Sequence, residues 1–151
     1  AKNAGLETAR GIIVNENLQT SNPDIYAGGD GVEIKDFVTG ENTLIPLAGP
    51  ANRQGRIIAD NICGIESAYK NSQGTSVLKV FDLTAASVGN NEKQLKSKNI
   101  PYWKTFVFSK DHAGYYPGAV EVLYINYFFL PMVKFLVHRE SALMVLKKEL
   151  M

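Results

Sequence analysis

The sequence predicts a mixed α/β chain in two parts, an α/β segment over residues 1–72 and an α+β segment from residue 73 onward. Three observations predict it. Short β-rich runs separated by turn clusters fill the first third of the chain, and an apolar 3.6-residue spacing follows at 50–62. A polar stretch at 64–76 then breaks that spacing before strand-like runs resume. Of 151 residues, 45% are hydrophobic and 21% charged, which supplies a core burying roughly 70% of the surface an unfolded chain of this length exposes. There are 16 basic and 15 acidic side chains, a formal charge of +1, so no basic field points to nucleic acid or to an anionic membrane. One cysteine and two histidines exclude an internal disulfide, a Cys-x-x-Cys redox pair and a four-thiolate zinc site, and suit a reducing cytoplasm. The opening AKNAGLETARG has no apolar stretch behind a basic cap and does not read as a secretory signal.

Gly11-Ile12-Ile13-Val14 is a β-rich run, and Asn15-Glu16-Asn17 after it has turn composition. The turn cluster Thr20-Ser21-Asn22-Pro23-Asp24 precedes a short apolar strand, Ile25-Tyr26-Ala27, which stops at Gly28-Gly29-Asp30. Gly29 lets a backbone approach closely, and Asp30 sets an acceptor at the carboxyl end of a buried strand, where open α/β sheets bind ligands. A plain Gly-Gly-Asp turn accounts for the same residues. A second strand pair is expected around 32–36 and 43–45. Residues 50–62 read as a helix, with Pro50 in the first turn and Ala51, Gly55, Ile58, Ala59 and Ile62 on its inner face. The N-terminus of that helix offers N–H groups to an anion or a carbonyl.

Past the polar stretch, 77–81 is expected to be a strand, 91–98 a short helix opening at Asn90 or Asn91 with Glu92 in its first turn, and 104–108 another strand. His112-Ala113-Gly114-Tyr115-Tyr116-Pro117-Gly118 then gathers a histidine, two tyrosines and turn formers into one loop. Such loops carry function, so His112, Tyr115 and Tyr116 are candidates. A satisfied surface histidine beside an interface or core-edge tyrosine pair is the plainer reading.

Four motifs, TSNPDIYAGGD at 20–30, PLAGPANRQGRIIADNICG at 46–64, VFDLTAASVGNNEKQL at 80–95 and HAGYYPGA at 112–119, occur in an order that resembles one family. That family is the FAD-dependent pyridine nucleotide-disulfide oxidoreductases, and the chain looks most similar to their single-cysteine branch, the CoA-disulfide reductases and NADH oxidases. The resemblance implies the C-terminal part of an FAD-binding domain over 1–72, followed by a partial mixed α/β dimerisation domain over 73–129. It implies that Asp30 accepts hydrogen bonds from the ribityl chain of FAD and that Gly28 and Gly29 allow the close approach. It further implies that Leu47, Ala48 and the helix start face the pyrimidine end of the flavin, and that His112, Tyr115 and Tyr116 line a substrate pocket in trans. Neither G-x-G-x-x-G fingerprint for FAD or NAD pyrophosphate occurs in these residues. The family's redox cysteine has no counterpart either: Cys63 follows the PLAGPANRQGR motif and is expected to be buried packing.

From about residue 130 the resemblance stops. The apolar run VLYINYFFLPMV at 122–133 is shorter than the roughly 20 residues a spanning helix needs, holds Asn126 and Pro131, and lies between Glu121 and Lys134. Residues 141–150 read as a short helix with Leu143, Leu146 and Leu150 on one side. Reading each codon one register off restores the family pattern. With permitted synonymous bases, 130–151 becomes TDGKIFGAQRIGFDGVEKRVD, and the pairs Met132-Val133 and Met144-Val145 force two of its four glycines because methionine has one codon. The expectation is therefore an out-of-frame tail over 130–151.

The functional expectation is a fragment of a flavoprotein that passes electrons from NAD(P)H through FAD to CoA disulfide, peroxide or oxygen. This stretch would contribute flavin contacts and homodimerisation, with no catalytic residue of its own, and would be inactive alone. No nucleic-acid or membrane partner is expected, and an open sheet edge would favour association. The alternative is a small non-catalytic adaptor that pairs with a full-length reductase.

Overall fold

A computed structural model describes residues 1–110, 112–117, 122–129 and 140–147, the last stretch as backbone. The chain divides into two compact units, Ala1–Gly74 and Thr75–Met151.

In the first unit a single 3₁₀ turn, Lys2–Ala4, ends at Gly5 in the left-handed region. Strand β1 (Ile12–Ile13) runs parallel to β2 (Val32–Lys35), pairing Ile12 with Val32. β2 pairs antiparallel with β3 (Asn42–Thr43), giving the order β1-β2-β3. The strand expected over 25–27 does not form. Tyr26 makes one isolated bridge to Gln19, and Ile25 is 37% exposed, because a strand needs a continuous partner and only this bridge is offered to it among the described residues. The strand expected at 43–45 ends at Thr43, and Ile45 leaves it to pack against the core.

That core joins Leu18, Val32, Ile34, Ile57 and Tyr69. Leu18 reaches it by an uncommon route. The Asn15 carboxamide oxygen accepts from the N–H groups of Asn17 and Gln19, and Leu18 N–H donates to the Asn15 carbonyl. This turn holds Leu18 at φ 63, so a branched residue occupies the left-handed region, which costs about 1 kcal/mol or more. Burial to 1% exposure more than offsets that, since a buried leucine contributes roughly 2–3 kcal/mol.

Helix α1 (Ala48–Ile62) closes the unit. Its inner face differs from the expected one. Gln54 and Ile57 are buried and Ile58 half-buried, whereas Gly55 and Ala59 are exposed and Ile62 is 64% exposed. Gln54, Ile57 and Ile58 lie at i, i+3 and i+4, one helical face. The expected stripe left out Gln54, the polar residue that the fold buries. Cys63, at the C-cap of α1, is exposed, which corrects its expected burial: the helix turns its last residues away from the core.

In the second unit, β4 (Ser76–Val80) and β5 (Leu83–Val88) form a hairpin through the two residues Phe81 and Asp82. Helix α2 (Glu92–Ser97) opens on a capping box, in which the Asn91 side chain accepts from Gln94 N–H and the Gln94 side chain from Asn91 N–H. Leu95 is its buried anchor. Strands β6 (Trp103–Lys110), β7 (Val122–Phe129) and β8 (Glu140–Lys147) complete an antiparallel sheet in the order β4-β5-β8-β7-β6.

β8 overturns the helix expected at 141–150. It pairs with β5 on one side and β7 on the other. A segment flanked by two strands satisfies its backbone groups along both edges only by pairing, and this outweighs a local 3.6-residue spacing. Of the apolar run at 122–133, residues 122–129 form β7, and 130–133 lie outside the described residues, as do 130–139 and 148–151 of the expected out-of-frame tail. No helix among the described residues is long and apolar enough to cross a membrane.

Candidate functional site

The Gly28-Gly29-Asp30 turn leaves the Gln19–Tyr26 bridge and meets α1. Gly28 lies close against the helix: a Cβ would stand 2.9 Å from Ile58 Cδ1, the movable end of that side chain, and 3.3 Å from Gln54 Cβ. Gly29 has φ +86, with no atom within 4 Å of where its Cβ would be, so this position needs glycine for conformation rather than space. Its N–H donates to Gln54 Oε1 at 2.7 Å. The carboxylate of Asp30, the next residue, is exposed. The expected buried strand end is thus an exposed turn, held by the helix beneath it.

Leu47 and Ala48 stand at the N-terminal end of that same helix. Leu47 is the N-cap, with φ −137 and ψ 141, and its carbonyl accepts the first helical bond from Ala51 N–H at 3.1 Å. No side chain caps this end and no acidic residue lies in the first turn. Ala48 and Gly49 therefore keep N–H groups uncompensated by a side chain, and Pro50 has none to offer. Gln54 lies seven residues beyond Leu47, roughly 10 Å along the helix at 1.5 Å per residue. One rigid element thus carries both the turn's anchor and the donor-rich end. Gln54 was missed from the sequence, although its position three and four residues before Ile57 and Ile58 placed it on their face.

The second unit holds the other candidates. Tyr115 and Tyr116 are 82% and 56% exposed, with ring centroids 4.8 Å apart, and the His112 ring lies edge-on to Tyr116 at 6.0 Å. Tyr116 N–H closes the turn on the Ala113 carbonyl. The three residues form one exposed aromatic cluster.

The perturbed titrations lie elsewhere. Glu92 accepts from Lys104 Nζ at 2.9 Å and Tyr102 Oη at 2.7 Å, and pairs with Lys96 Nζ at 3.1 Å. The Lys104 hydrogen bond first, then those of Tyr102 and Lys96, hold its carboxyl at about 2. The same contacts raise Tyr102 and Lys96. These groups clasp α2 to the start of β6. Among the described residues no cluster of histidine, cysteine and carboxylate side chains could hold a metal.

No family model matches the sequence. Individual proteins do. The NADH oxidase of Methanocaldococcus jannaschii is 40% identical over 123 residues, 81% of this chain and 28% of that protein. The coenzyme A disulfide reductase of Staphylococcus epidermidis is 41% identical over 108 residues, 71% of this chain and 24% of that protein. The crystal structure of reduced Bacillus anthracis CoADR-RHD superposes with a TM-score of 0.84 at 50% identity, over 96% of this chain and 26% of its own. The chain belongs to the pyridine nucleotide-disulfide oxidoreductase family. It matches the C-terminal part of such an oxidoreductase, as a mixed α/β structure. It spans about a quarter of the length of the curated relatives it matches.

Proposed function

We propose that this chain supplies flavin contacts and a dimerisation surface to an oxidoreductase that passes electrons from NAD(P)H to a disulfide such as CoA disulfide, to peroxide or to oxygen. FAD, when bound, supplies the chemistry by accepting hydride from the nicotinamide and releasing the electrons to the acceptor. Asp30 contributes an exposed acceptor for a ribityl hydroxyl. Gly29 contributes a backbone with open space above it, so that a ligand can lie close. Leu47 and Ala48 begin a helix whose N–H groups and dipole favour negative charge, which suits the pyrimidine end of a reduced flavin. The observation that carries the reading is that the exposed Asp30 turn and this uncapped helix end are joined by one element, α1.

The finer assignments belong to the same proposal. Residues 1–72 form the end of an FAD-binding domain, and those from 73 a partial dimerisation domain within a homodimer. His112, Tyr115 and Tyr116 line the partner's substrate pocket, the protein works in the cytoplasm, and 130–151 is read out of frame. The relatives' names, NADH oxidase and coenzyme A disulfide reductase, support the reaction class.

By itself the chain is expected neither to co-purify with flavin nor to oxidise NADH, since no pyrophosphate-binding fingerprint occurs in it. The contact site is tested by titrating riboflavin into isotopically labelled chain and following amide resonances. Shifts at Gly29, Asp30, Ala48 and Gly49, weakened in Asp30→Ala, are expected. Shifts elsewhere or none at all refute the site.

A further inference from the structure

We infer that Gln54 is a positioning residue for the flavin contact, fixing through its side-chain amide the turn that presents Asp30. The inference rests on the site proposed above and adds a residue to it. Gln54 is 1% exposed, beside Ile57 at 7% on the buried face of α1. A glutamine gains nothing there from burial alone, because an amide removed from water costs free energy unless it is hydrogen-bonded. Its Oε1 accepts the Gly29 N–H at 2.7 Å. The donor on Gly29 settles which end of the amide points at the turn, because only the oxygen can accept.

Packing works with this bond. Gly28 lies so close to the helix that its missing Cβ would meet Ile58 Cδ1 and Gln54 Cβ, so the turn is pressed onto α1 at one residue and hydrogen-bonded to it at the next. Gly29 then takes φ +86, and the chain leaves in a direction that a glycine backbone alone would not select, since glycine populates positive and negative φ about equally. A methionine or leucine at 54 would fill the volume and leave the turn free to choose. The buried amide is what determines where the Asp30 carboxylate stands relative to the helix N-terminus.

The test uses the full chain carrying Gln54→Met, which keeps the volume and removes the acceptor, with Ile57→Val as a control that loosens the same face without touching the bond. Amide exchange at Gly29 should quicken roughly fivefold to tenfold in Gln54→Met, the loss expected of one hydrogen bond, while exchange at Ile34 in β2 stays as in the parent. Under riboflavin, the shift at Asp30 should weaken several-fold in Gln54→Met and persist in Ile57→Val. Unchanged Gly29 exchange in a folded Gln54→Met chain overturns the positioning role, and so does equal weakening in both variants. Absence of any riboflavin shift in the unsubstituted chain overturns the site itself, and the exchange data tell that failure apart from the first.

Discussion

Truncating Leu18 to alanine removes a side chain that is 1% exposed and packs with Val32, Ile34, Ile57 and Tyr69. Leucine-to-alanine changes at buried sites cost about 3–5 kcal/mol, the removed transfer energy plus the cavity left behind. Alanine keeps the left-handed conformation at φ 63, so no strain is relieved to offset the loss. The unit spanning Ala1–Gly74 has a stability of roughly 4–11 kcal/mol by length, of which the substitution removes about a quarter or more. Urea unfolding followed by far-ultraviolet circular dichroism reads this unit, because the helical signal comes mostly from α1, with 15 residues against 6 in α2. With a slope of about 1 kcal/mol per molar urea, the midpoint should fall by about 3 M or more. Leu18→Gly separates packing from strain: relief of the left-handed backbone, about 1 kcal/mol, is nearly cancelled by the entropy glycine restores to the unfolded chain. The two variants should therefore unfold within about 1 M of each other. A Leu18→Ala midpoint within 0.5 M of the parent, roughly the margin of the method, or a Leu18→Gly chain more stable than the parent, would falsify the view that burial outweighs strain here.

Two further outcomes concern Gly28 and Glu92. Gly28→Ala should cost about 1–2 kcal/mol by overpacking against Ile58 Cδ1. Ile58→Val removes that methyl at a cost of about 1 kcal/mol, so the double variant should be more stable than the sum of the singles by at least about 0.5 kcal/mol, and strict additivity in urea midpoints would sink the contact. Glu92 has its folded carboxyl lowered from 4.5 to about 2, so the clasp stabilises the second unit fully above about 4.5 and loses that contribution as the pH falls toward about 2. Glu92→Gln should flatten this part of the pH dependence, read from the fluorescence of the single tryptophan, Trp103, during unfolding. An unchanged pH profile in the variant would show that the three partners of Glu92 do not act in solution.

Much of the local structure was legible because it is set by neighbours in the chain. A short helix is expected to open at Asn90 or Asn91 with Glu92 in its first turn, and α2 begins there, on Asn91. Pro50 marked the first turn of α1. The order of four short motifs identified the family, and the relatives bear it out. The candidate site was legible in part. Gly28, Gly29 and Asp30 stood out as a turn with an acceptor, and Leu47 and Ala48 as the start of a helix, but Gln54 did not, because a buried amide is recognisable only once its partner is in place.

The sequence by itself thus determined which stretches turn, where helices start and which family the chain joins, all of which rest on contacts between residues close in sequence. Tertiary structure alone decided which face of α1 is buried, that residues 25–27 form a bridge and not a strand, that Glu140–Lys147 is a strand and not a helix, and that Cys63 is exposed. The buried face of α1 and the strand β8 depend on partners far along the chain: the Gly28-Gly29 turn for Gln54, and β5 together with β7 for β8. Backbone pairing and close packing draw their free energy from such partners, and they override local spacing wherever the two disagree.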